Sequence, residues 1–297
     1  MSPYRTEEAD VAYVADKLLL NNRPYSALDL LASQLTFKKP MPTETAARVL
    51  ERLITPGPDD ERPGELASHN VTEVLSAVGD AADLPIERVA RIEFAFVSAV
   101  SRFQWRPKVR HRALAEETSF FAHVLSIAYR GEGEKQRELS EQEAAHARTA
   151  RELLDTWRVT PGPNFLSWLN DARAAAKAVN RLAFGDVMIG QMLARVPPVD
   201  GQWPAPVVCH ALESTANDEM DRGFSVGVAN GRGVFSKSLD EGGRQERSLA
   251  DSYREHATRI NDEYPRVAAL LREIATDYER AGRRWDTHTL LRQDLGD

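Results

Sequence analysis

Apolar side chains recur at three- and four-residue spacing along almost the whole of this chain, and that rhythm admits little besides packed α-helices. Val11, Val14, Leu18 and Leu19 gather on one side of the first periodic segment, and Leu28, Leu31 and Leu35 on one side of the second. Ile86, Val89, Ile92, Phe96 and Val100 make a continuous face after Pro85, a residue suited to a first helical turn. Ser140 and Glu143 spell a capping box ahead of Ala147, Ala150, Leu154 and Trp157. The last two helices are expected over about 244–262 and 265–284, with Pro265 setting a tight antiparallel joint. The short helices before residue 55 suggest solenoid-like packing, although no repeat of fixed period continues beyond them.

One stretch breaks the rhythm. Residues 223–237, GFSVGVANGRGVFSK, hold four of the 17 glycines. Phe224, Val226 and Val228 alternate with small residues, and Asn230-Gly231 is the preferred pair for a two-residue type I′ turn. The pattern predicts a β-hairpin, with Val226 opposite Phe235. Neither a phosphate-loop nor a dinucleotide-loop spacing is present.

The fold class expected is therefore all-α: packed helical hairpins with one inserted β-hairpin. Two lobes are expected, 1–133 and 134–297, the second carrying the hairpin. The proline-, glycine- and acid-rich run at 55–65 is either a linker or a long surface loop.

Composition narrows the functional classes. Asp plus Glu outnumber Lys plus Arg by 45 to 38, a formal charge of −7, which disfavours a general binder of nucleic acid or anionic membrane. Cys209 is the only cysteine, so neither an intrachain disulfide nor a multi-cysteine zinc site can form. With no apolar run of membrane-spanning length, a soluble, cytoplasmic protein is expected.

Four groups of residues could carry chemistry. Glu143 and His146 have the Glu-x-x-His spacing of di-iron bundles, but no second copy exists and Glu143 already serves the capping box. Cys209 lies next to His210; neighbours in a helix diverge, so core packing is the simpler role. Glu213, Asp218, Glu219 and Asp221 could act as acid and base or hold a divalent ion, or form a solvated helix face. Arg102, Trp105, Arg106, Lys108 and Arg110 mix cations with aromatics as nucleic-acid surfaces do. The alternative for that segment is a connection whose aromatics pack inward while its cations stay wet.

Strings such as GF-x-x-G-x-x-N-x-R-G-V, from Gly223, and GG-x-Q-E-R-x-LA-x-x-Y, from Gly242, resemble the C-terminal helical region of large multidomain bacterial proteins. That resemblance implies a piece, or a stand-alone relative, of a longer polypeptide, with a connection to phage defence. It brings no catalytic residue. No catalytic, cofactor or metal residue is assigned. The expectation is a non-enzymatic interaction, scaffold or sensor module that docks a protein partner or an adjacent domain. Its candidate contacts are Arg102, Trp105, Arg106, Lys108 and Arg110, together with Phe224, Asn230, Arg232 and Phe235 on the hairpin. A nucleic-acid-binding module and a helical enzyme using residues 213–221 are the alternatives.

Overall fold

The computed structural model describes residues 3–97, 100, 105–233, 236, 238 and 241–295, and the side chains from residue 8 to residue 291 among them. Fourteen helices account for the architecture of the described residues, with no strand and only an isolated bridge between Val199 and Gln202. The all-α expectation holds. The chain divides into two compact units, Met1–Leu153 and Leu154–Asp297.

The first unit stacks α1 (Pro3–Leu20), α2 (Pro24–Thr36), α3 (Thr43–Ile54), α4 (Ala67–Gly79), α5 (Ile86–Phe96), α6 (Arg110–Glu116) and α7 (Thr118–Ala128). Helix α8 (Glu141–Asp155) follows and ends just past the division. Leu28, Leu31, Leu50, Leu75, Ile92, Phe120 and Phe121 are among the fully buried side chains of its core. The breaker run at 55–65 is a surface loop folded back on its own unit. Asp60 accepts hydrogen bonds from Arg52 (2.5 Å) and the Gly57 amide (2.7 Å). Glu61 accepts from the Ser26 amide (2.5 Å) and hydroxyl (2.9 Å), closing the start of α2. Although burial works against it, those Ser26 bonds and Arg23 hold the Glu61 carboxyl below its ordinary pKa. At α8 the capping box forms as the sequence specifies: the Glu143 amide donates to Ser140 Oγ (3.2 Å), and the Ser140 amide donates back to the Glu143 carboxylate (2.9 Å).

The second unit comprises α9 (Phe165–Ala178), α10 (Leu182–Leu193), α11 (Pro206–Thr215), α12 (Asp218–Gly231), α13 (Arg244–Ile260) and α14 (Pro265–Leu295). Two pairings dominate it, α10 with α12 and α13 with α14.

The expected hairpin is not there. Residues 218–231 form α12, capped by the Asn217 side chain, which accepts from the Met220 amide at 2.9 Å. What looked like strand alternation is a Gly-x-x-x-Gly face. A Cβ on Gly223 would lie 2.2 Å from the Val187 carbonyl oxygen, and one on Gly227 would lie 2.7 Å from Ala194 Cβ. Opposite them, a Cβ on Gly190 would lie 2.1 Å from the Met220 carbonyl oxygen. The pairs 187 with 223 and 191 with 227 advance together, so α10 and α12 run parallel, with backbones in contact where side chains are missing. Small residues on both faces permit that approach, and the resulting helix–helix burial outweighs glycine's poor helix propensity. Gly231, expected in a turn of positive φ, ends the helix without one. Phe235, the expected return-strand contact, lies outside the described residues.

The α13–α14 pair is antiparallel and equally close, since a Cβ on Gly243 would meet the Gly282 carbonyl oxygen at 2.2 Å. The joint at Pro265 is as expected, but α14 runs to Leu295 instead of stopping near 284.

Candidate functional site

The cationic segment 105–112 proves to be a clasp. Amides of Lys108 and Val109 donate to the carboxylate of Glu93 at 2.8 and 3.1 Å, so this α5 side chain, 1% exposed, closes the start of α6. Burial raises the Glu93 pKa, and those amides together with the nearby Arg110 charge oppose the rise. Lys108 Nζ reaches Asp80 at 2.5 Å and the Ser76 carbonyl at 3.2 Å. Arg110 is half-buried near Glu152 and Glu93, and desolvation lowers its pKa. Arg112 lies 3.8 Å from Glu116. Acids just past the end of α4 and on α5, α6 and α8 thus face these cations, while Arg106 is exposed. Trp105 is half-buried, its indole N–H enclosed without a hydrogen-bond partner. Arg102 lies outside the described residues.

Helix α12 also redistributes the expected hairpin contacts. Phe224 is fully buried and stacks on Trp203 at 5.8 Å between ring centroids, so it is core and not surface. Arg232 turns inward: it meets the wholly buried Glu246 at 2.8 Å, donates to Gln245 at 3.1 Å, and lies 5.9 Å over the Tyr278 ring. Asn230 alone of the three remains exposed, at the end of α12.

The acidic group 213–221 is dispersed into structural work. Glu213 accepts from the amides of Arg266 (3.1 Å) and Val267 (3.0 Å), capping α14. Asp221 pairs with Arg266, whose guanidinium also donates to the Leu212 carbonyl at 2.8 Å. Burial raises the Asp221 pKa and the Arg266 charge offsets part of that rise. Glu219 pairs with Arg222, and Asp218 sits in the first turn of α12.

Cys209 is fully buried and directs its thiol to the Pro204 carbonyl at 3.4 Å. Burial pushes its pKa up to about 12, which leaves the thiolate essentially unpopulated near neutrality. Glu143 is tied to Arg137 at 2.6 Å as well as to Ser140, which brings its pKa down to about 2, and His146 bonds instead to the Ala95 carbonyl at 3.3 Å. No group of three or more His, Cys, Asp or Glu side chains with metal-binding geometry occurs among the described residues.

Besides an open depression of about 410 Å³ on α14, lined by Arg272, Glu273, Thr276, Asp277 and Arg280, two surface features remain. An open depression of about 410 Å³ on the second unit is lined by Arg232, Glu241, Arg244, Gln245, Ser248 and Leu249. Of its two cations, Arg232 is already committed to Glu246, and Glu241 is the one carboxylate in the lining. The other feature is the end of α14. Asp286 accepts from the Gly243 amide (2.8 Å) and from Arg247 (2.5 Å), marking where α13 begins beside it. Helix α14 continues for nine further residues, to Leu295. Leu290 and Leu291 on that stretch are 60 and 56% exposed, and just before Asp286 Trp285 is 40% exposed next to the exposed Arg283 and Arg284. The sequence carried a signal for this extension: after Pro265 no helix breaker appears before Gly296, apart from Gly282, which the α13 contact accounts for.

The chain matches no family model, no curated protein and no solved structure. Among the described residues no helix is long and apolar enough to cross a membrane.

Proposed function

We propose that this chain is a helical docking module for another protein or for an adjoining domain, and that the end of α14 is its contact element. The carrying observation is the exposure of Leu290 and Leu291, beyond the start of α13, and the partial exposure of Trp285 level with it. Tryptophan and arginine are enriched at the energetic centres of protein interfaces, and Trp285 follows Arg283 and Arg284. Leu290 and Leu291, each more than half exposed, add apolar surface to the same helical end. The resemblance to a region of larger bacterial proteins fits the same reading, because a lobe of a longer polypeptide needs such a contact.

The test is comparative capture. The immobilised native chain should retain a stoichiometric protein from an extract of its own cells. Trp285→Ala and Leu291→Glu should both lose it, whereas Arg259→Glu, on exposed α13 surface, should keep it. Identical retention by all four proteins would overturn the reading.

A further inference from the structure

Asn230 is the one asparagine of the chain that a glycine follows. That pair does not make a turn here, but it carries a reaction of its own, because the Gly231 nitrogen has no adjoining Cβ to shield it. The nitrogen attacks the amide carbon of the Asn230 side chain. A C–N bond forms, the nitrogen's proton passes to hydroxide, and the side-chain nitrogen leaves as ammonia with a proton from water. The resulting succinimide takes up one water and opens to aspartate or isoaspartate. Nothing is oxidised or reduced, and water is the only co-reactant. Regular helix blocks the attack: the amide is held in the hydrogen-bond ladder, and a ψ of about −42° aims the following nitrogen away from the side chain.

How firmly that block holds depends on the end of α12. Gly227 and Val228 are its last buried residues, and Ala229, Asn230 and Gly231 are all exposed. The next two amides close short bonds, Arg232 to the Ala229 carbonyl at 3.3 Å and Gly233 to that of Asn230 at 3.2 Å, and Gly233 then leaves the helix with a φ of +66°. A last turn with no buried apolar side chain opens at little cost, as helix ends do. Arg232, paired with Glu246 at 2.8 Å, holds the chain just beyond, so the opening stays local. We infer that Asn230 deamidates spontaneously in the folded chain, at a rate gated by opening of the last turn of α12. This modification is independent of the docking reading. Its product puts a negative charge at the C-terminal end of α12, where the helix dipole disfavours one, and the isoaspartyl form also lengthens the backbone there. Each event thus weakens the turn that gated it.

The experiment incubates the native chain at mildly alkaline pH and maps its peptides by mass spectrometry, with isoaspartate separated by chromatography. Deamidation at Asn230 should outpace that at every other asparagine, Asn261 included, and should quicken as hydroxide rises. Unfolding in guanidinium chloride at the same pH should raise the rate roughly tenfold, as expected of a shallow gate. Ala229→Gly lowers helix propensity in the last turn and leaves the reacting pair intact. It should speed the native reaction roughly fivefold and leave the unfolded rate unchanged. Gly231→Ala, whose Cβ meets nothing within 4 Å, should slow both reactions roughly tenfold. A folded chain in which Asn230 stays intact would overturn the inference. So would equal rates in the folded and unfolded chain, or a native rate that Ala229→Gly fails to raise.

Discussion

A methyl group on Gly223 would sit 2.2 Å from the Val187 carbonyl oxygen, and one on Gly190 would sit 2.1 Å from that of Met220. Both obstacles are backbone, so the helices themselves must separate. Gly223→Ala and Gly190→Ala should each cost about 3 kcal/mol, at the upper end for overpacking, despite alanine's better helix propensity. Gly231→Ala meets nothing within 4 Å and needs no positive φ, so it should change stability by less than about 0.5 kcal/mol. Urea midpoints of the three proteins check this, and a hairpin turn at Gly231 would reverse the order. His123 offers a second residue-scale test. Burial between Phe94 and Phe120, with Arg91 adding repulsion and Glu87 opposing it, pushes its pKa down to about 4. The unfolded chain takes up that proton near pH 6.5 while the folded one does not, so stability falls as pH drops from 6.5 toward 4. Between pH 7 and 5 the loss should be about 1–2 kcal/mol after allowing for partial solvent screening. His123→Phe should flatten most of that slope in urea titrations at the two pH values.

At the scale of elements, what could be read from the sequence follows from what sets each helix. Where a stripe of large apolar residues turns inward, as at Val89, Ile92 and Phe96 of α5, spacing alone suffices. The capping box at Ser140 and the joint at Pro265 are equally local and equally legible. Helix α12 is the opposite case. Its inward face is Gly223 and Gly227, and glycines read as breakers unless the close-lying α10 backbone is known; its alternating Phe224, Val226 and Val228 then mimic a strand. The clasp at Glu93 and the cap at Glu213 were hidden for a related reason, because each carboxylate serves a helix start far away in the sequence. The Glu213 cap can be tested as a device of α14. Glu213→Ala leaves the amides of Arg266 and Val267 without their acceptor, and should cost about 1–2 kcal/mol. Hydrogen exchange should quicken first in the opening turn of α14, whereas a uniform change along that helix would argue against a capping role.

At the scale of the molecule, the question is how α8 is shared, since the two units divide between its Leu153 and Leu154. Most of this helix belongs to the first unit by its bonds: His146 reaches the Ala95 carbonyl at 3.3 Å, and Arg151 donates to that of Ala128 at 3.0 Å. Ala147, Ala150 and Leu153 are buried on the same stretch. The other unit keeps the far end, with Leu154 and Trp157 buried and the Trp157 ring 5.5 Å from that of Trp168. A fragment of residues 1–155 therefore retains α8 whole and should melt cooperatively. One of residues 1–133 lacks it and leaves the α5 and α7 faces it covers open to water. Losing buried Ala147, Ala150 and Leu153 together removes several kcal/mol of apolar burial, a large fraction of what a domain this size has to spare. The shorter fragment should melt at least about 10 °C lower, or bind a dye for exposed apolar surface. Equal melting temperatures for the two fragments would mean that α8 contributes nothing to the first unit, and that its hydrogen bonds to Ala95 and Ala128 are incidental.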